Sequence, residues 1–222
     1  MQTSSQQLET RVFGRDQGLR GLLRVTLPPP LAAHLLMPDF ADFAQLHPEI
    51  ELELLSSGEL ANLTNREADL ALRVVYDRKT LPLNLHGLKG PELWGGTYVA
   101  RDPLAYGSAP RWITVGGATV PDWVRAAEAA GPRVPFRVVD FDAQLAAVRQ
   151  GVGMTIMPCF VGDADPLLVR VSGTDLHPYG TLWLLTQGET RKTRRVRLLT
   201  EFIAARLGLH APLLAGKIGP AG

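Results

Sequence analysis

Cysteine is nearly absent: Cys159 is the only one in 222 residues. That excludes an intramolecular disulfide and a cysteine-based zinc site. A lone thiol with no base beside it in the sequence reads as a buried structural side chain. No stretch reaches the roughly 20 apolar residues of a membrane span. The first residues, MQTSSQQLETRVFGRDQG, lack the apolar core of a secretory signal, so a cytoplasmic location is expected. Charge of neither sign is in excess, with Lys+Arg 23 against Asp+Glu 22, which argues against a broad nucleic-acid-binding face. Catalytic signatures are missing too: there is no G-x-S-x-G, no Walker-type loop and no H-E-x-x-H. His34, His47, His86, His177 and His210 are scattered without metal-ligand spacing. No cofactor, no metal and no enzymatic activity are therefore expected.

What is present is alternation of strand-like and helix-like segments. In residues 136–158, FRVVDFDAQLAAVRQGVGMTIMP, the run Val138-Val139 reads as a buried strand and Asp140 as a helix cap. Phe141, Leu145 and Val148 form one helical face, and Gly151 and Gly153 are expected to close that helix at positive φ. Residues 154–157 read as a second strand ended by Pro158. Strand–helix–strand with short connections favours two parallel strands. Gly151-Val152-Gly153 is no dinucleotide loop, because it follows a helix and precedes a strand, the reverse of that fingerprint.

Earlier in the chain, residues 1–20 read as the end of a helix or a disordered arm, and residues 22–27 as a buried strand. Pro28-Pro29-Pro30 remove three N–H groups and are expected to exclude regular helix or ladder bonding. A helix carrying Leu36, Phe40 and Phe43 follows from Leu31, with Pro38 in its first turn or kinking it, and His47-Pro48 ends it. Ile50, Leu52 and Leu54 alternate with Glu51 and Glu53 as a strand. Ser57-Gly58 leads to a helix with Leu60 and Leu63, and residues 69–73 form a third strand. The β-α-β-α-β order predicts a parallel, doubly wound sheet.

Residues 77–97 lose periodicity among Pro82, Gly87, Gly90, Pro91, Gly95 and Gly96, leaving only a short strand at residues 98–100. A second βα pattern begins with the strand at residues 112–115, the turn Gly116-Gly117, and a helix opened by Pro121, lined by Val124 and Ala127 and capped at Gly131. Further strands are expected at residues 167–171 and 182–186. A last helix from about residue 193 to 207 presents Val196, Leu199, Ile203 and Leu207 on one face. Its opening run, Arg191 to Arg197 with five basic residues, has no interleaved aromatics and reads as a solvated face. The fold class is thus α/β, with two βα lobes joined at mid-chain and a cleft between them. Lobe I is expected over 21–101 and 186–208, lobe II over 102–185, and a loose tail over 209–222.

In such sheets ligands bind beyond the carboxyl ends of strands, where helix N-termini favour anions. The candidate binding residues are therefore Thr26, Leu27 and Pro28 after the first strand, Arg73 and Val74 after the third, Thr114, Val115 and Gly116 in the second lobe, and Asp140 and Phe141 at the next helix start. Arg73 could pair a carboxylate bidentately. Asp140 serves first as a cap.

Five segments in order resemble the effector-binding domain of LysR-type transcriptional regulators: GRDQGLRGLLRVTLP, LLMPDFADFAQLHPEIELEL, NREADLALR, AAVRQGVGMTIMPCF and RKTRRVRLLTEFIAARL. The resemblance covers roughly residues 8–207. It implies that the two lobes are Rossmann-like and similar to type II periplasmic binding proteins, with a small-molecule effector, often an anion, held between them, and pairing as a homodimer or higher homo-oligomer. It also implies that DNA is contacted only through an upstream winged helix-turn-helix, absent from these residues, so that residues 1–222 alone do not bind DNA specifically. Family members often hold the effector with a Ser or Thr in the first loop; the three prolines here depart from that. A solute-binding protein for transport shares the fold but predicts a signal peptide or lipobox. An enzyme on the scaffold predicts convergent titratable groups, and the sequence names none.

Overall fold

The computed structural model describes residues 19–56, 68–77, 79, 81, 85–102, 111–115, 122–130, 136–188 and 190–217. The expectations for the first 18 residues, for the helix of Leu60 and Leu63, and for Gly116-Gly117, Pro121 and Gly131 lie outside those residues. So do the side chains of Val115, Val124 and Ala127.

In chain order, strand β1 is Gly21–Leu27 and is followed by helix α1, made of Pro29–Leu31, a π-turn Ala32–Leu36 and Met37–Leu46. Strands β2 (Ile50–Ser56), β3 (Leu70–Val75), β4 (Leu85–Ala100) and β5 (Arg111–Val115) come next. Helix α2 (Asp122–Ala130), strand β6 (Phe136–Val138), helix α3 (Phe141–Arg149), strand β7 (Gly153–Pro158) and the single turn α4 (Cys159–Gly162) follow. Strands β8 (Leu168–Arg170) and β9 (His177–Gln187) lead to a 3-10 turn, Thr190–Lys192, and helix α5 (Arg194–Leu214).

The chain divides into two compact units. The first is Met1–Gly90 with Leu182–Leu209, the second Pro91–Thr181 with His210–Gly222. The division passes through β4, β9 and α5, so each unit receives part of those elements.

In the first unit β1 lies between β2 and β3 and is parallel to both, with Leu23 opposite Leu52 and Thr26 opposite Ala71. This is the parallel arrangement that the β-α-β-α-β order predicted. Leu23, Val25 and Leu27 of β1, Leu70 and Leu72 of β3, Leu36, Phe40 and Phe43 of α1, and Val196, Leu199, Ile203 and Leu207 of α5 are all 2% exposed or less. Each such side chain contributes about 1.5–3 kcal/mol by leaving water. Phe43 packs on Phe202 with ring centroids 5.3 Å apart, and Arg206 of α5 reaches Asp39 and Asp42 of α1.

Three prolines after β1 do not prevent a helix. Pro29 and Pro30 stand in its first turn, where a missing N–H costs nothing, and Leu31 and Ala32 both donate to the Pro28 carbonyl, at 3.0 and 3.2 Å. The widened turn Ala32–Leu36, closed by the Met37 N–H on the Ala32 carbonyl, comes just before Pro38. Pro38 then opens the regular part of the helix.

Residues 85–97 are a second correction. They are strand β4, not an irregular link. The glycines there answer to neighbours instead of to turns: a Cβ on Gly87 would come within 2.8 Å of the Trp183 ring, and one on Gly90 within 3.2 Å of the Leu182 carbonyl oxygen. Close packing against β9 thus took precedence over the weak strand preference of glycine.

In the second unit the order is β4-β7-β5-β6, with β8 on β4. β6 and β7 are both parallel to β5, which lies between them, so the β6-α3-β7 crossover skips one strand. Trp112, Ile113, Leu145, Val148, Ile156, Met157 and Phe160 form its core. Two expectations for this stretch fail. Val139 is 82% exposed, because β6 ends at Val138. Gly153 is the first residue of β7, and only Gly151, at φ 71°, takes the positive-φ turn. Gly153 is glycine for another reason: its Cβ would stand 2.1 Å from the Arg111 carbonyl oxygen of β5.

The expected loose tail is ordered through Lys217. Helix α5 continues to Leu214, which is fully buried, with Pro212 inside it.

Candidate functional site

In the first unit the parallel pairing of β1 and β3 brings five of the expected residues together at one sheet end. Thr26 and Leu27 end β1, Pro28 follows it, and Arg73 and Val74 lie near the end of β3. Arg73 Nη2 donates to Thr26 Oγ1 at 2.9 Å and its Nη1 to the Leu72 carbonyl at 2.8 Å. Arg73 is 4% exposed and Thr26 fully buried. Burial alone pushes the guanidinium down to about 10. Taking a guanidinium out of water disfavours its charged form.

The N-terminus of α1 contributes little to such a site. Pro29 and Pro30 have no N–H, and those of Leu31 and Ala32 already bond Pro28. Anion recognition at this sheet end therefore falls to side chains.

In the second unit β5 and β6 pair in register, Val115 opposite Val138, so Thr114 and Val115 come to the same sheet end as Asp140 and Phe141. Asp140, in extended backbone, accepts from the Ala143 N–H at 2.7 Å, as the cap reading predicted. A helix start that already holds its own carboxylate, with Asp142 beside it, is a poor place for a second anion. Gly116 lies outside the described residues. Behind this end, the Gln144 amide donates to the Thr155 hydroxyl, which donates in turn to the Ile113 carbonyl at 3.0 Å, tying α3, β7 and β5 together.

Sequence reasoning missed a buried polar cluster in the second unit. Tyr98 donates to Asp163 at 2.9 Å, Arg170 Nε donates to the same carboxylate at 2.7 Å, and Arg170 Nη2 also pairs with it. Arg170 Nη2 reaches the Gly216 carbonyl at 2.8 Å. No spacing signal joins positions 98, 163, 170 and 216. Cys159 is fully buried beside this cluster, and burial raises its thiol above the ordinary value, which suits a structural thiol. Among the described residues no three His, Cys, Asp or Glu side chains group to hold a metal ion, and no helix is long and apolar enough to cross a membrane.

The LysR substrate binding domain profile matches residues 16–89 and 98–208. The chain belongs to the LysR substrate binding domain family. Among sequence relatives is the HTH-type transcriptional regulator CrgA of Neisseria meningitidis serogroup C (strain 8013), 24% identical over 222 residues, covering 90% of this chain and 72% of that protein. Among solved structures, the regulatory domain of CrgA from Neisseria meningitidis superposes with TM-score 0.67 at 20% identity, over 85% of this chain and all of that one. The effector domain of AmpR of Pseudomonas aeruginosa superposes with TM-score 0.69 at 18% identity, over 86% of this chain and 98% of that one. At such identities the superpositions establish the fold, that of type II periplasmic binding proteins. The family match makes this a regulatory, effector-binding domain of a LysR-type regulator, and the transport reading is not favoured.

Proposed function

We propose that this LysR substrate-binding domain senses a small organic anion through Arg73 and Thr26, with Leu27, Pro28 and Val74 as neighbouring contacts. Thr114, Val115, Gly116, Asp140 and Phe141 are the proposed contacts contributed by the second unit, to the part of the ligand away from its carboxylate. The observation that carries the reading is the Arg73 guanidinium, 4% exposed and oriented by the Thr26 hydroxyl and the Leu72 carbonyl. Its planar fork suits bidentate capture of a carboxylate. Effector binding would bias a cytoplasmic homodimer between two arrangements and so alter transcription, which requires unequal affinity for the two states. In this reading DNA is contacted through a winged helix-turn-helix and not through residues 1–222, which give no sequence-specific shift of a DNA duplex in a gel.

A thermal-shift screen of small organic acids tests the proposal, since a ligand at a hundred times its Kd adds about 2.7 kcal/mol of apparent stability. At least one acid is expected to raise Tm in the parent and not in Arg73→Met. If every acid that stabilises the parent stabilises Arg73→Met equally, Arg73 is removed from the site. A screen in which no acid raises Tm counts against the sensor reading as a whole. Sedimentation of the purified chain as a monomer at micromolar concentration would remove the homodimer.

A further inference from the structure

The start of α5 gathers charge of the wrong sign. Arg191 and Lys192 precede it, Arg194, Arg195 and Arg197 open it, and its first turn holds no acidic residue. A helix N-terminus carries positive partial charge, so cations are disfavoured there and an anion is favoured. A merely solvated face would need no cavity beside these charges, yet the first unit has one, a groove of about 560 Å³. Leu88 of β4, Leu184 and Thr186 of β9, and Arg191, Lys192 and Arg197 are among the residues that line it. Leu184 is 1% exposed and gives an apolar floor, while Leu88, at 48%, is one of the large apolar side chains left in water. Among the described residues Arg191 and Arg197 form no ion pair, not even with Glu201, which also lines the groove. The volume lies within the roughly 300–1,000 Å³ of small-molecule sites, and a mostly polar, basic lining with two leucines suits an anion that carries a short apolar body.

We infer that this groove binds a small organic anion, a carboxylate carrying a short apolar body, as a ligand site separate from Arg73 and Thr26. The carboxylate meets Arg191 and Arg197 at the mouth, and the apolar body covers Leu88 and Leu184. No lining residue belongs to the ends of β1 or β3, so the site does not depend on the Arg73 reading. Ligand here would offset the repulsion at the start of α5, and α5 runs from the first unit into the second.

The test uses the 222-residue chain, followed by amide NMR shifts during titration with octanoate, octanol and inorganic phosphate. Octanoate is expected to shift the Leu88, Thr186 and Arg197 amides saturably. Octanol, which lacks the charge, and phosphate, which lacks the apolar body, should each bind at least about tenfold more weakly. The Arg191→Ala/Arg197→Ala variant, altered only at exposed side chains, should lose about tenfold or more in octanoate affinity, while Arg73→Met leaves these shifts unchanged. Equal binding of octanol or phosphate, an unchanged affinity in the double variant, or a matching loss in Arg73→Met overturns the assignment. A DNA duplex that occupies the same amides more tightly than octanoate overturns it in favour of nucleic acid.

Discussion

Arg73 on β3 donates to the Thr26 hydroxyl on β1 at 2.9 Å, a side-chain bond that spans two adjacent parallel strands at their ends. Both residues are buried, so the bond is also a stability element. Thr26→Val keeps the shape and removes the acceptor, leaving a buried guanidinium donor short of a partner. The expected loss is about 1–3 kcal/mol by urea unfolding. Adding Arg73→Met to Thr26→Val should recover part of that loss, because a buried charge without its acceptor is worse than a buried apolar chain. A neutral Thr26→Val would show that the bond contributes nothing to stability.

Asp163 holds the buried cluster of the second unit. It is 4% exposed and receives bonds from Tyr98 and Arg170. Asp163→Ala removes the one anion among them and leaves Arg170, itself partly buried, without its carboxylate. A loss of about 3 kcal/mol is expected, at the lower end of the range for breaking a buried pair because Arg170 keeps some solvent. Gly216 belongs to the same cluster. It sits at φ 63°, and a Cβ there would come within 2.8 Å of Cys159 Sγ. Gly216→Ala should therefore destabilise as well. If chemical denaturation gives less than about 1 kcal/mol for Asp163→Ala, the cluster is not a stabilising pair.

Asp140 is exposed and its role is local. Loss of its side-chain bond to Ala143 should cost about 1 kcal/mol in Asp140→Ala, while Asp140→Asn or Asp140→Ser keeps an acceptor and most of the stability. Equal midpoints for Ala and Asn would refute the capping role. Binding of the organic acid should survive Asp140→Ser if recognition rests on Arg73.

The elements legible in the sequence were those whose signal is local and periodic. The buried alternation of Leu23, Val25 and Leu27, the α5 face of Val196, Leu199, Ile203 and Leu207, and the Asp140 cap depend on neighbours within one or two turns. Illegible were features fixed by distant partners. Gly87 and Gly90 read as breakers because nothing nearby shows that Trp183 and Leu182 will press on them. Gly153 read as a turn residue, yet its lack of a side chain serves the approach of Arg111, far earlier in the chain. The Pro28-Pro29-Pro30 run was read by its missing donors alone, although a first helical turn has no use for them. At the site, Arg73 was visible as a strand-end cation, but its bond to Thr26 depends on which strands become neighbours. The basic run before α5 was visible as charge only; the groove beside it requires β4 to be a strand.

The buried acids of the second unit make stability fall at alkaline pH. Burial raises the Cys159 thiol above its ordinary 9.0 and, more strongly, the Tyr98 phenol above its ordinary 10.0, with Cys159 and Asp163 adding to the shift at Tyr98. Both groups are neutral when protonated. Above pH 9.0 the unfolded chain loses the thiol proton while the folded chain keeps it, so the unfolded state binds fewer protons and stability falls as pH rises. The limiting slope is about 1.4 kcal/mol per pH unit for one group. Arg73 acts in the opposite direction: its lowered value of about 10 lets the folded state shed a proton first, so its contribution to stability rises above that pH. From pH 9 to 10 the thiol therefore contributes most, ahead of Tyr76 and Tyr98, whose ordinary value is 10.0, and of Arg73, which acts oppositely. Urea unfolding across that window should show a decline in the parent that is reduced in Cys159→Ala after correction for the variant's lower baseline. The native thiol, fully buried, should react with a disulfide reagent only as fast as the protein opens. An undiminished decline in Cys159→Ala, or rapid labelling of the native chain at pH 8, would contradict a buried, protonated thiol.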